Sequence, residues 1–298
     1  MNIAVTGTKR ESISGTQPHT CMRLTQAQCD AFWRDGFLAL DQITTPADLA
    51  DVGTFYDRLF EERAGWKDGN YFDLVGSEDD PSKFTIPHLQ NCSRYCPELT
   101  ETIYWSNAYS IASQLLGGKI RHLYDIAITK LPHNAAKTPW HQDCAFLPEG
   151  SYFEKVVFWM PLQAVDESSG CMRFKPGSHR GPIVPHRSPG GDNRVNGLEA
   201  IGINDADSIA CPLPAGGATI HDFRTLHATG GNNSDVLRRV MTIGWGARRL
   251  SKTVEGNFDW LTAKDNQRLR RYRSESAIQK AKKTAAPLIN TIMYGLGR

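Results

Sequence analysis

The segment GATIHDFRTLHATGGNNSDVLRRV, residues 217–240, governs how the fold is read. Two β-rich runs flank the turn formers Gly231-Asn232-Asn233-Ser234. Such residues accept tight-turn backbone, so a hairpin is expected there. A hairpin symmetric about that turn sets His227 opposite Arg238, and opposed residues of an antiparallel pair project to one face. His221 has the same strand parity as His227. Six residues of strand span roughly 20 Å, however, so the two histidines are not expected to meet one ion. His221 therefore reads as a core or rim histidine. A buried arginine needs an anion, because an unpaired buried charge is very costly. Its planar fork suits a carboxylate held at two points, which either a protein acid or a bound diacid satisfies.

Working outward, short β-rich runs fill the chain from His122: HLYDIAITKL, WHQDCAF, EKVVFWMPLQAV and CMRFKP precede the opening segment. Turn signals such as PHN, PEG, ESSG, PGS and PLPAGG separate them. That spacing predicts a sandwich or barrel of antiparallel strands. Helical signals lie earlier. Thr25 with Gln28 forms a capping box, Gly36 stops that helix, and FLALD (37–41) reads as a strand. Thr45-Pro46 opens a second helix, with Asp48 in its first turn. Residues 64–95 read as loop, and a third helix follows Pro97 and ends at Gly117-Gly118. Residues 181–208 form a long polar insertion, expected to be functional or disordered.

In TPWHQDCAF (138–146), His141 and Asp143 stand one residue apart on an expected strand. Residues i and i+2 of a strand share a face, so the pair offers an imidazole nitrogen and a carboxylate oxygen to one point. A chain this long carries roughly half an H-x-D by chance at average usage, so the pair alone also fits a core hydrogen bond. A third ligand, His227, shifts the balance. Two histidines and a carboxylate with open positions opposite suit non-haem Fe(II), and zinc accepts the same set.

Composition narrows the classes. Of 298 residues, 40% are hydrophobic and 22% charged, ordinary for a globular chain, and the net charge of +2 gives no overall drive toward nucleic acid. No apolar run of membrane-spanning length occurs. The seven cysteines include no CxxC pair and are expected as reduced thiols in a cytoplasmic protein. Cys92 and Cys96 alone make no metal site. The first 21 residues, rich in Ser, Thr and Gly, lack the apolar core of a secretory signal and read as a disordered leader, with a transit peptide as the competing reading from their low acidity. The basic tail TAKDNQRLRRYRSESAIQKAKK reads as a helical extension with a solvated or homodimer-forming face; a phosphate-binding patch is the competing reading.

Four stretches together resemble one family. WHQD (140–143), the strand ending at Trp159, SSGCMRFKPGSHR (168–180) and LHATGGNNSDVLRR (226–239) are similar to the phytanoyl-CoA dioxygenase family of Fe(II)/2-oxoglutarate oxygenases. The opening LTQAQCDAFWRDGFLAL resembles the start of that family, and the likeness runs over roughly residues 22–247. It implies a mainly β fold with flanking α: a double-stranded β-helix (jelly-roll, cupin-like) core with N-terminal helices packed on it. It implies an oxygenase domain over 22–250, with 251–298 as its basic C-terminal extension. By position, His141, Asp143 and His227 would bind Fe(II), and Arg238 would hold the far carboxylate of 2-oxoglutarate, helped by Thr229. Trp159 matches a tryptophan lining the cosubstrate pocket; a plain core role fits it too. Gly216-Gly217 stands where the family often has Gly-Asp, at a turn where no chemistry should be lost. Asp143 argues against the halogenating members, which carry a small residue there.

The expected activity is O2-dependent hydroxylation of an unactivated C–H bond of a small, specialised-metabolism substrate, releasing succinate and CO2. An acyl-CoA or lipid-like substrate, or desaturation or epoxidation, are alternatives within the class. A non-catalytic metal-binding β-barrel and a zinc hydrolase are alternatives outside it. No nucleic-acid or membrane partner is expected.

Overall fold

The computed structural model describes residues 21–77, 79–147, 154–247 and 258–265. The expected leader and most of the C-terminal extension lie outside the described residues.

Helix α1 (Gln26–Asp35) has the expected capping box from Thr25 and Gln28, and Gly36 closes it in the left-handed conformation at φ 85°. Strand β1 (Phe37–Leu40) and helix α2 (Pro46–Glu61) follow as read, with Thr45 capping α2. The stretch read as loop contains two short strands, β2 (Tyr71–Asp73) and β3 (Pro87–Gln90), and a one-turn helix α3 (Cys92–Tyr95). Such brief elements carry too few alternations to stand out from the surrounding Gly, Asp and Pro. Helix α4 (Ile103–Leu116) begins six residues after Pro97, because a 3-10 turn over Pro97–Glu101 intervenes; Gly117 ends it.

The remaining strands are β4 (Ile120–Lys130), β5 (Thr138–His141), β6 (Lys155–Pro161), β7 (Met172–Phe174), β8 (His186–Arg187), β9 (Glu199–Ala200), β10 (Ile209–Cys211), β11 (Ala218–Asp222), β12 (His227–Thr229) and β13 (Arg238–Ala247). They form a seven-stranded sheet, ordered β1-β11-β6-β13-β4-β3-β2, and a four-stranded sheet, ordered β10-β7-β12-β5, all antiparallel. Strands β8 and β9 form a small ribbon within the 181–208 insertion. A last short helix, α5 (Asp259–Thr262), follows β13. This is the expected jelly roll with helices on one face.

Strand β6, KVVFWMP, is buried at all seven positions and serves two layers at once. Val156, Phe158 and Met160 face the helices and join one cluster with Phe32, Val52, Tyr56, Leu59, Tyr104 and Ile111. Val157 and Trp159 face the space between the sheets. The same alternation places Tyr124, Ile126 and Ile128 of β4, and Arg238 and Thr242 of β13, on that inner wall.

The hairpin expected over 217–240 is not formed. Strand β12 pairs with β5 and β7 in the small sheet, whereas β13 pairs with β4 and β6 in the large one. His227 thus lies opposite His141 and Phe174, and Arg238 lies opposite Lys130. Sandwich strands consecutive in sequence change sheets, which local turn chemistry alone does not reveal. Asn232 holds the crossing: its buried side-chain amide donates to the carbonyls of Lys130, Leu131 and Val236.

Candidate active site

His141 ends β5, and Asp143 opens a 3-10 turn rather than continuing the strand. The departure from the strand lets the carboxylate swing toward the histidines. Asp143 Oδ1 lies 3.6 Å from His141 Nε2 and 3.7 Å from His227 Nε2. Cross-strand pairing of His227 with His141 brings the two rings within 4.1 Å, centroid to centroid. The three ligand atoms all lie within 4.8 Å of one another, the spacing of a metal-binding group.

Tautomers are fixed by the backbone. His141 Nδ1 is 2.7 Å from Pro139 O, and His227 Nδ1 is 2.9 Å from Thr225 O. A carbonyl only accepts, so Nδ1 carries the proton and each Nε2 keeps a lone pair for a metal. Burial, and then the neighbouring histidine charge, pushes both imidazoles down to about 4, so both are neutral at physiological pH. Burial alone would push Asp143 up. The surrounding histidines, His227 first, more than offset it and hold the carboxyl well below its usual range. The site is thus ready to bind a divalent cation without first losing protons.

Gln142 points away, as strand parity requires, and is fully buried. Its amide donates to Arg224 O at 2.8 Å, and its Oδ-equivalent carbonyl, Oε1, accepts from Val184 N at 2.9 Å. It ties the 181–208 insertion to the core. The PGSH turn does similar work: Gly177 N donates to Asp35 O, while Ser178 Oγ accepts from Leu226 N at 2.9 Å. It thereby sets the residue before the distal histidine.

Arg238 is 1% exposed. One guanidinium nitrogen donates to Gly170 O at 2.9 Å, and Nε has no partner among the described residues. No acid of the described residues forms an ion pair with it, and burial pushes it down to about 10. Gly170 presents that carbonyl from a left-handed turn (φ 80°) packed so closely on the Gly230 and Gly231 carbonyls that a Cβ would collide at 2.7 Å. Trp159 stands beside the guanidinium, with Cζ 5.6 Å from its ring centroid.

Lys130, which sequence reading missed, is fully buried next to Arg238 and donates to Thr229 Oγ1 at 2.9 Å and to Gly230 O. Burial, and then the Arg238 charge, pushes Lys130 well below the usual lysine range. Because Thr229 Oγ1 accepts from Lys130, the hydroxyl keeps its own hydrogen for another acceptor. The Lys130 signal is strand parity with Ile126 and Ile128, legible only once the register is known. His221 is a buried histidine outside the three-residue ligand group, as expected, but the expected distance from His227 is not observed. A turn over Phe223–Leu226 separates β11 from β12, so the 20 Å separation collapses: the rings of His221 and His227 are 4.4 Å apart. His221 Nε2 faces Asp143 Oδ2 at 3.4 Å, the oxygen turned away from His141 and His227. Asp222, which caps Arg224 N at 2.8 Å, was the sequence signal for that turn.

All six residues expected at the site, His141, Asp143, His227, Arg238, Thr229 and Trp159, line one cavity of about 150 Å³. Two observations test an iron and diacid there. The donor set is two neutral imidazoles and a carboxylate, and the buried guanidinium in the same cavity is unmatched by any acid of the described residues. Both fit.

The phytanoyl-CoA dioxygenase family model matches residues 32–240. A probable alpha-ketoglutarate-dependent hypophosphite dioxygenase of Stutzerimonas stutzeri is 30% identical over 54% of this chain and 57% of its own. The peroxisomal phytanoyl-CoA dioxygenase of Bos taurus is 24% identical over 70% of this chain and 64% of its own. The matches therefore span less than two thirds of these relatives. The crystal structure of EvdO2 from Micromonospora carbonacea var. aurantiaca complexed with 2-oxoglutarate superposes with a TM-score of 0.69 and 28% identity, covering 81% of this chain and 98% of that one. The chain belongs to the phytanoyl-CoA dioxygenase family of Fe(II)/2-oxoglutarate oxygenases.

Proposed function

We propose that the protein is an Fe(II)- and 2-oxoglutarate-dependent dioxygenase that hydroxylates an unactivated C–H bond of a small molecule, releasing succinate and CO2. The observation that carries this reading is the unmatched Arg238 guanidinium in the same cavity as the His141–Asp143–His227 cluster. A zinc hydrolase or a structural metal site has no use for a buried cation aimed at a diacid. Its location is proposed as cytoplasmic; no helix of the described residues is long and apolar enough to cross a membrane.

The residues divide the work. His141, Asp143 and His227 would hold Fe(II) on one side and leave the cavity side open. Bound iron with 2-oxoglutarate and O2 supplies the oxidation, coupled to decarboxylation of the diacid. Arg238 and the Thr229 hydroxyl would grip the far carboxylate, and Trp159 would flank its chain. Phe146, Val157 and Ile126 make the walls largely apolar, which excludes water and strengthens the Arg238–carboxylate attraction. No side chain is required as a strong base, so the walls are free to vary with substrate. Relatives named for hypophosphite and for phytanoyl-CoA illustrate that breadth.

Incubation with Fe(II), 2-oxoglutarate, ascorbate and air tests the reading. Slow succinate release that a chelator stops is expected even without the true substrate. Tight zinc binding with no succinate under any condition would favour a hydrolase.

A further inference from the structure

The cavity has a second polar end that iron and 2-oxoglutarate leave without a role. Leu261 and Lys264 reach it from the segment after β13, and Asn196 reaches it from the 181–208 insertion. Helix α5 is seated there by the Trp260 indole, which donates to Ala145 O at 3.0 Å, and by Leu261 packed on Ala145 and Leu198.

Lys264 is 8% exposed. Its ammonium donates to Val195 O at 2.8 Å and to Gly197 O. Three N–H groups are available, so one is left over. No ion pair to Lys264 forms among the described residues; Asp192, the acid acting on it from further off, is engaged with Arg194 at 2.7 Å. Burial pushes the ammonium down to about 7, and an anion arriving there would hold it charged. Asn196 lies between the two carbonyls that Lys264 grips. Its amide donates to Asp73 O at 2.8 Å, and its buried Oδ1 has no partner among the described residues.

Position separates this end from the cosubstrate. Asn196 and Gly197 bond the backbone of Asp73 and Leu74, at the β2 edge of the large sheet. Strand β2 is three strand spacings from β13, which carries Arg238, roughly 14 Å. A five-carbon diacid spans only about 5 Å between its end carbons at ordinary bond lengths. It cannot reach Lys264 while gripped by Arg238. Charge makes the same division. Fe(II), Asp143, dianionic 2-oxoglutarate and Arg238 cancel, and Asp143 is the only acid among the described lining residues. In its protonated form Lys264 adds one positive charge to that neutral set.

We propose that Lys264 is the specificity-determining anchor for the molecule to be oxidised: it receives a carboxylate at one end of a mostly apolar substrate, and Asn196 Oδ1 receives a hydroxyl or N–H next to that acid. The apolar body would lie along Phe72, Leu74 and Leu261 toward the metal end. This deepens the oxygenase reading and rests on it.

The test is calorimetric titration of the anaerobic Fe(II)/2-oxoglutarate complex with 3-phenylpropanoate and its neutral amide, 3-phenylpropanamide. A charge-assisted hydrogen bond favours the acid by at least about tenfold in the unaltered protein. Lys264→Met should bring the two ligands to parity, Lys264→Arg should restore most of the preference, and Asn196→Asp, which sets an acid beside the ammonium, should abolish it. The affinity for 2-oxoglutarate should stay within about twofold throughout, a readout that a merely structural lysine would not separate from the first. Equal binding of acid and amide by the unaltered protein, no binding of the acid at millimolar concentration, or a preference that survives Lys264→Met would overturn the proposal. Failure of the unaltered protein to bind 2-oxoglutarate would instead overturn the oxygenase reading beneath it.

Discussion

Replacing Arg238 with methionine separates a cosubstrate arginine from a structural one. The guanidinium spends one donor on Gly170 O, and its Nε is without a partner among the described residues. Two donors directed at one carboxylate contribute about 1.5–3 kcal/mol each when charge-assisted and shielded from water, or about 3 kcal/mol at the low end. That corresponds to a loss of roughly 200-fold in 2-oxoglutarate affinity. The unliganded protein should behave differently. Its buried cation has no acid partner among the described residues, and burial pushes it down to about 10, so losing it relieves as much as it costs. Methionine fills similar volume and gives up the Gly170 hydrogen bond, about 1 kcal/mol. Urea unfolding of the apo variant should therefore fall within about 1 kcal/mol of the unaltered protein, while calorimetry shows the collapse in 2-oxoglutarate binding and unchanged Fe(II) binding. A variant that unfolds several kcal/mol earlier, or binds 2-oxoglutarate normally, would refute the reasoning.

His221→Ala removes the group facing the outer oxygen of Asp143, and should weaken Fe(II) binding by roughly tenfold in an anaerobic titration while leaving the fold intact. Gln142→Ala leaves half-buried partners at Val184 N and Arg224 O unsatisfied and should lower urea stability by about 1–2 kcal/mol. His186, buried and pushed down to about 4, binds its proton more weakly folded than unfolded. The unfolded chain then takes up more protons between about pH 6.5 and 4, so stability falls as pH falls through that window. The loss from this histidine should be about 2 kcal/mol by pH 5, and His186→Asn should flatten the slope of apo-protein stability against pH.

Much of the site was legible because its chemistry sits in short-range patterns. H-x-D at 141–143 and the PGSH turn read directly, and His227 and Arg238 stand eleven residues apart. Their mutual arrangement was not. Hairpin symmetry around Gly231–Ser234 put His227 against Arg238, yet the chain crosses between sheets there, and the two meet only across the cavity. The same sheet change after Asp222 hid His221, because a run read as one strand is two strands with a turn between. Lys130 and Lys264 escaped for a different reason. A lysine reads as solvent-facing in any sequence, and only the β4–β13 register and the seat of α5 against the insertion bury them. The helices, by contrast, start and stop on local caps at Thr25, Gly36 and Thr45, and those signals do not depend on tertiary context.

The most direct measurement is a crystal structure of the protein grown anaerobically with Fe(II) and 2-oxoglutarate, with the metal located by anomalous scattering. One iron ligated by His141 Nε2, Asp143 Oδ1 and His227 Nε2 is expected, with the far carboxylate of the diacid on Arg238 and Thr229. Iron bound elsewhere, or a diacid that leaves Arg238 untouched, would contradict the account.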